Sequence, residues 1–255
     1  MKKSYLLLFI AIIAITLSSC KKESSLENTN SKNTKIDIEH FKKLKDKAGT
    51  MHNAYVIQAF NDLPEELVQK GVTKDLVLKT TDLMCQYYIK DGYSKEEAEK
   101  AFDLVKENME SIIKNSGYKK PFSDLQEKVF NDLQAITDKT IDAYPFEKLE
   151  DEDFRNELLK DINTLSDKMF DTYMYSDKYT FNEKEEIAIA IGIGQASCDC
   201  WLGKCWSKFK SWWKKNKDVI IKVAKVALSD VTGGIAGGSF WPITGPLSSV
   251  ITACE

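Results

Sequence analysis

Arginine is all but missing from this 255-residue chain: of its 36 basic residues, only Arg155 is one. Bidentate reading of phosphates and base edges favours arginine. Its scarcity argues against a dedicated nucleic-acid binder, and no nucleic-acid partner is expected. Histidine is nearly as scarce, with His40 and His52 alone. The chain has no phosphate loop, no Gly-x-Ser-x-Gly elbow and no His-Glu-x-x-His, so the chemistries that need those motifs have no foothold. Carboxylates abound, among them Glu150 to Asp153, Glu183, Glu185 and Glu186. Helical surfaces always carry acids, however, and abundance alone does not pair an acid with a base. No stretch alternates with period two over several residues, which removes the signature of a half-buried strand. No catalytic set, resident metal or cofactor is expected.

What is present begins at the amino terminus. Met1-Lys2-Lys3 leads into an apolar run from Tyr5 to Leu17, then Leu17-Ser18-Ser19-Cys20, then an abrupt polar turn at Lys21-Lys22-Glu23. A basic start, a short apolar core and small residues define an export signal. The run of 13 residues is short for a transmembrane helix, which needs about 20. An ordinary secretory signal and an uncleaved anchor are the plain alternatives, and Cys20 separates them from a third. Leu-Ser-Ser-Cys resembles the bacterial lipobox, which implies cleavage before Cys20 and acylation of that cysteine with palmitate-type chains. Each buried CH₂ contributes about 0.8 kcal/mol, so several chains make a stable membrane anchor. Lys21 stands where an inner-membrane retention signal would place Asp. The expected address is the cell envelope, at the outer membrane, on its periplasmic or surface face. Residues 20–35 read as the acylated cysteine and a flexible polar tether.

Residues 36–194 read as an acidic helical domain. Ser94-Lys95-Glu96-Glu97 has the form of a capping box, with Glu97 reaching back. Ala98, Phe102, Val105, Met109 and Ile112 follow at helical spacing. Gly117 supplies a stop. Ser123-Asp124-Leu125-Gln126 opens another helix, with Val129, Leu133 and Ile136 inward and Pro145 beyond its end. Pro64 suits a first helical turn. Further helices are expected over 151–171 and from about Asn182. The fold class is all-α: an irregular bundle of about six helices, then an amphipathic helix and a Gly/Pro-rich tail.

Composition changes near residue 195. All five tryptophans lie from Trp201 onward, and Trp201 to Ser229 holds eight lysines against one acid, Asp218. Residues 195–255 therefore read as a separate carboxyl-terminal module. Asp218, Lys222, Lys225 and Ser229 form a narrow polar stripe on an otherwise apolar helix. Gly233/Gly237 and Gly234/Gly238 are small-xxx-small pairs suited to close helix approach, or simply a Gly-rich turn before a Pro-bounded loop. Cys198, Cys200, Cys205 and Cys254 suggest two disulfides in an oxidising compartment, with free thiols and a four-thiolate zinc site as alternatives. Cys85 reads as a buried core thiol. His40 reads as solvent-facing. His52 reads as a structural histidine whose partner is not identifiable.

The chain resembles a group of uncharacterised bacterial helical proteins, many of them lipoproteins. The likeness rests on Gly-x-x-His-Asn at Gly49 to Asn53, an apolar helix running into an aromatic segment at Ile187 to Trp201, and spaced glycines before Gly-Pro from Ala227 to Pro246. It departs from them in its dense cysteines and tryptophans. The resemblance implies an architecture and no mechanism. Two functions are expected to compete, ahead of a third, an enzyme or metal protein using His52 or the cysteine cluster. One is a membrane-anchored, non-enzymatic binding or structural protein of the envelope. The other is a carrier of a membrane-active, bacteriocin-like cationic segment, with Trp206, Trp212, Trp213, Lys214, Lys215, Lys222 and Lys225 at the membrane.

Overall fold

The run Ile187-Ala-Ile-Ala-Ile-Gly-Ile-Gly is apolar on every side, so as a helix it has no face to give to water. The computed structural model describes residues 33–114, 123–143, 148–204, 226–227, 229–231, 233–234 and 238–254. In it, this run is the middle of a central helix, with Ile187, Ala188, Ala190, Ile191 and Ile193 all buried. The elements in chain order are α1 (Asn33–Asp62), α2 (Glu65–Gln69), α3 (Lys74–Lys90), α4 (Lys95–Glu107), α5 (Met109–Ile113), α6 (Asp124–Ala143), α7 (Glu152–Met174), α8 (Phe181–Asp199) and α9 (Trp241–Ala253). A π-helical turn, Cys200–Lys204, extends α8, and a 3₁₀ turn, Gly238–Phe240, leads into α9. The described residues from 226 to 234 are helical as well. The fold is all-α, with no strand among the described residues.

Local chemistry sets the helix starts. Thr73 Oγ1 accepts from Leu76 N, and Asp151 Oδ1 accepts from Asp153 N. Ser123 and Gln126 satisfy each other's backbone amides. Each such cap contributes about 0.5–2 kcal/mol. Ser94 caps α4 as expected, accepting from Glu97 N. Glu97 itself accepts a hydrogen bond from the Tyr88 hydroxyl at 3.0 Å. A capping box also forms at Thr180 and Glu183, which the sequence reading overlooked. The helix expected from Ala98 through Ile112 is divided at Asn108, whose side-chain amide donates to the Leu104 carbonyl at 2.8 Å. Gly117 and Pro145 lie outside the described residues.

α1 and α8 share the longest interface. They run parallel, as three pairs in register show: His40 with Glu185, Lys45 with Gly192, and Gly49 with Ala196. Backbones touch because the side chains are absent. A Cβ on Gly192 would collide with the Lys45 carbonyl, and one on Gly49 would meet the Gly192 carbonyl at 2.9 Å. Gly49 of the Gly-x-x-His-Asn segment is therefore a packing residue.

The compositional change near residue 195 falls inside α8. The described residues beyond it pack into the same core as the helices before it. Ile243, Leu247, Val250 and Ile251 of α9 join Tyr55, Leu76, Met84 and Val105. The segment read as a Gly/Pro-rich tail is thus a buried helix, with Pro242 in its first turn and Pro246 inside it. Ser229, placed on a polar stripe by the sequence, is buried and accepts from the Thr252 hydroxyl at 2.8 Å. Among the described residues, no helix is long and apolar enough to cross a membrane.

Candidate functional site: a buried histidine–aspartate centre

The glycine contact that closes α1 on α8 also aims His52. It lies one turn after Gly49 on the same helical face, where Ser197 of α8 follows Ala196. The 229–231 segment supplies Asp230, α9 supplies Ser249, and the π-helical turn supplies Trp201. His52, Asp230, Ser197, Ser249 and Trp201 are each 0 % exposed. His52 Nε2 sits 3.1 Å from Asp230 Oδ2. Ser249 Oγ donates to Asp230 Oδ2 at 2.9 Å, and Trp201 Nε1 donates to Ser249 Oγ at 3.2 Å. On the other side of the ring, His52 Nδ1 lies 3.1 Å from Asn53 Oδ1.

By strict geometry His52 Nε2, Ser197 Oγ and Asp230 Oδ1 make no well-aligned hydrogen bond. A buried carboxylate is costly unless paired. Burial accordingly pushes the Asp230 carboxyl above the usual range, opposed by the adjacent His52 and by the Ser197 and Ser249 hydroxyls.

This constellation is not a nucleophile with its base. In a serine–histidine–carboxylate relay the imidazole stands between the hydroxyl and the acid. Here the acid stands between, and the Ser249 hydroxyl is spent on Asp230. Burial closes the group to any substrate. What it does chemically is tie α1, the 229–231 segment, α9 and the π-helical turn to one point.

The cysteines do not gather as expected. Cys198 and Cys254 are buried and in no disulfide. They belong to different apolar clusters: Cys198 packs with Val56, Leu158 and Trp201, and Cys254 with Tyr55, Leu76 and Leu247. The expected disulfides through these two are therefore corrected. Burial, then the nearby Asp230 and Asp199, push the Cys198 thiol up to about 12, which makes it a poor nucleophile. Among the described residues no His, Cys, Asp and Glu side chains group to hold a metal, so the zinc alternative has no ligand set there. Cys85 is a buried thiol facing the Ala98 carbonyl at 3.3 Å. Cys20, Cys205, Trp206, Trp212, Trp213, Lys214, Lys215, Lys222 and Lys225 lie outside the described residues.

His40 is half-exposed as read, but it is paired, with Nε2 2.8 Å from Glu185 Oε1. The lone arginine is structural. Arg155 donates to the Leu149, Glu150 and Leu202 carbonyls, clamping the π-helical turn onto the start of α7. Sequence reasoning missed Asp230 as the partner of His52. A signal was there: Asp230 is the single acid between Val226 and Cys254 in an otherwise uncharged stretch, and a lone acid in an apolar segment calls for a buried partner.

No protein-family model matches the chain, and no curated protein or solved structure was found to be similar to it.

Proposed function

We propose that the protein is a lipid-anchored cell-envelope protein, cut before Cys20, acylated there, and held at the outer membrane as a non-enzymatic binding or structural body. One observation carries the non-enzymatic part. The chain's best-equipped chemical group, His52 with Asp230, is sealed from solvent and engaged in holding helices together. The molecule's work then falls to its surface and its anchor. The anchor rests on the basic start, the short apolar run and Leu17-Ser-Ser-Cys20. Intact mass of protein purified from membranes tests it. A chain beginning at Cys20 and carrying acyl mass is expected, with Cys20→Ala accumulating as unprocessed precursor. A membrane-fraction protein that begins elsewhere and lacks acyl mass refutes the anchor.

A second reading is favoured by a specific feature. Trp201 and Leu202 on one side of residues 205–225, and Val226 and Ala227 on the other, lie in one apolar cluster. The residues that flank the lysine- and tryptophan-rich stretch thus meet at one place. In this reading the stretch meets anionic lipid while both its ends stay in the fold. Co-sedimentation of the full chain with anionic vesicles decides. Replacing Lys214, Lys215, Lys222 and Lys225 by Gln is expected to weaken binding by about 1 kcal/mol per lysine. Unchanged binding removes the reading.

A further inference from the structure

Parallel packing puts the amino termini of α1 and α8 at one end of the molecule. α7 runs antiparallel to α8, with Gln195 donating to Asp167 and a Cβ on Gly203 facing Leu159. The turn from Tyr175 to Thr180 that joins them is therefore at that same end. Three large hydrophobic side chains are exposed among the described residues, and two of them flank this turn: Tyr175 at 63 % and Phe181 at 46 %. Phe181 is not loosely held. Its ring stacks on His40 with centroids 5.3 Å apart and leans on Phe41 at 5.0 Å, while Glu185 fixes the imidazole. The result is a preformed aromatic platform.

The same end receives the tether. Asn33 is 13 residues after Cys20. A coil of that length spans roughly 20 Å, and a fully extended one about 45 Å. His40 lies about 10 Å along α1 from Asn33, by the rise of a helix.

We infer that this aromatic end, with Tyr175 exposed at the turn and Phe181 on the His40–Phe41 base, is the face that rests on the lipid bilayer's interface. The inference builds on acylation at Cys20. A ring with a polar tip suits the headgroup zone, where tyrosine is enriched. The surrounding charges are of both signs, with Asp37, Glu39 and Asp177 beside Lys43 and Lys178. Contact is thus interfacial and does not depend on anionic lipid. Two aromatic side chains bind a bilayer weakly on their own. A short tether supplies an effective concentration near the millimolar range and makes a weak contact sufficient.

The test is photo-crosslinking of the full-length protein in its own membranes, with p-benzoylphenylalanine at Tyr175, at Phe181, or at exposed Lys70. Lys70 follows α2, past the far end of α1, which is about 45 Å long. Lipid adducts at 175 and 181 are expected about tenfold above those at 70, because the tether holds one end at the surface. Equal yields at all three positions overturn the inference. Adducts to protein instead of lipid at 175 and 181 overturn it too, and make the platform a protein contact. The mass at Cys20 in the same sample separates the two levels. An unacylated chain sinks the anchor and the inference together. An acylated chain without lipid adducts sinks the inference alone.

Discussion

Carboxylates meet hydroxyl donors in two regions of this molecule, and the two regions behave differently. At the rim, Tyr55 donates to Asp91, Tyr87 to Asp62, Tyr88 to Glu97 and Tyr173 to Asp132, all at 2.7–3.0 Å. In the interior, Ser249 and His52 meet Asp230. At the rim the phenols carry the perturbation. Burial first, and then the acid, pushes Tyr173 up to about 12 and the others upward as well. In the interior the acid carries it, because no water reaches Asp230 to stabilise its charge. Burial is the largest cause in both regions, and it acts on the phenols at the rim and on the carboxyl in the interior.

The comparison can be broken most sharply at His52. His52→Ala leaves Asp230 buried beside an empty place, and removing one partner of a buried pair costs about 3–5 kcal/mol. Urea unfolding followed by circular dichroism reads this directly. A loss below about 1 kcal/mol would mean that Asp230 finds other support. Next in size is Gly192→Ala, which drives a methyl into the Lys45 carbonyl. Overpacking of this kind costs about 1–3 kcal/mol, and unchanged stability would mean that α1 and α8 are not locked at their glycines.

A pH series sharpens the contrast. Asp230 has its folded pKa raised, so the folded state keeps a proton that the unfolded chain releases above its ordinary value. Its contribution to stability is therefore full below about pH 4, and is lost as pH rises through the raised value. The slope is at most about 1.4 kcal/mol per pH unit. Asp230→Asn should remove that slope, and a variant as pH-dependent as the parent would locate the effect elsewhere. The smallest effect is expected at the rim. Tyr87→Phe loses one hydrogen bond to solvent-accessible Asp62, about 0.5–1 kcal/mol. A cost equal to that of His52→Ala would erase the distinction between the regions.

The sequence carried the fold further than the site. Ser94 and the Ser123–Gln126 pair are local signals, decided within one helical turn. They placed two helix starts correctly, and apolar spacing placed Val129, Leu133 and Val105 inward. Asn108 broke a helix because its amide found a nearby carbonyl, a choice that periodicity does not register. Tryptophan and lysine density suggested a new unit from residue 195, and the described residues on either side of 205–225 pack with the helices before them, since burial depends on which face is apolar and not on where charge accumulates. His52 and Asp230 were each visible, but their meeting depends on α1, α8 and the 229–231 segment converging. That convergence comes from absent side chains at Gly49 and Gly192, and the lack of a side chain leaves little trace in a hydropathy pattern.

The placement of α9 has a consequence for the order of events in the chain's life. Its apolar residues complete a cluster begun by Tyr55 and Ala59 of α1, and His52 waits for an acid made far later in synthesis. The first long helix therefore cannot finish its core until α9 has emerged. Contacts so distant in sequence form slowly. Under the export proposed above, late closure would keep the polypeptide threadable while it is being moved. A copy that loses its last dozen residues would present an open apolar groove to every protease it meets.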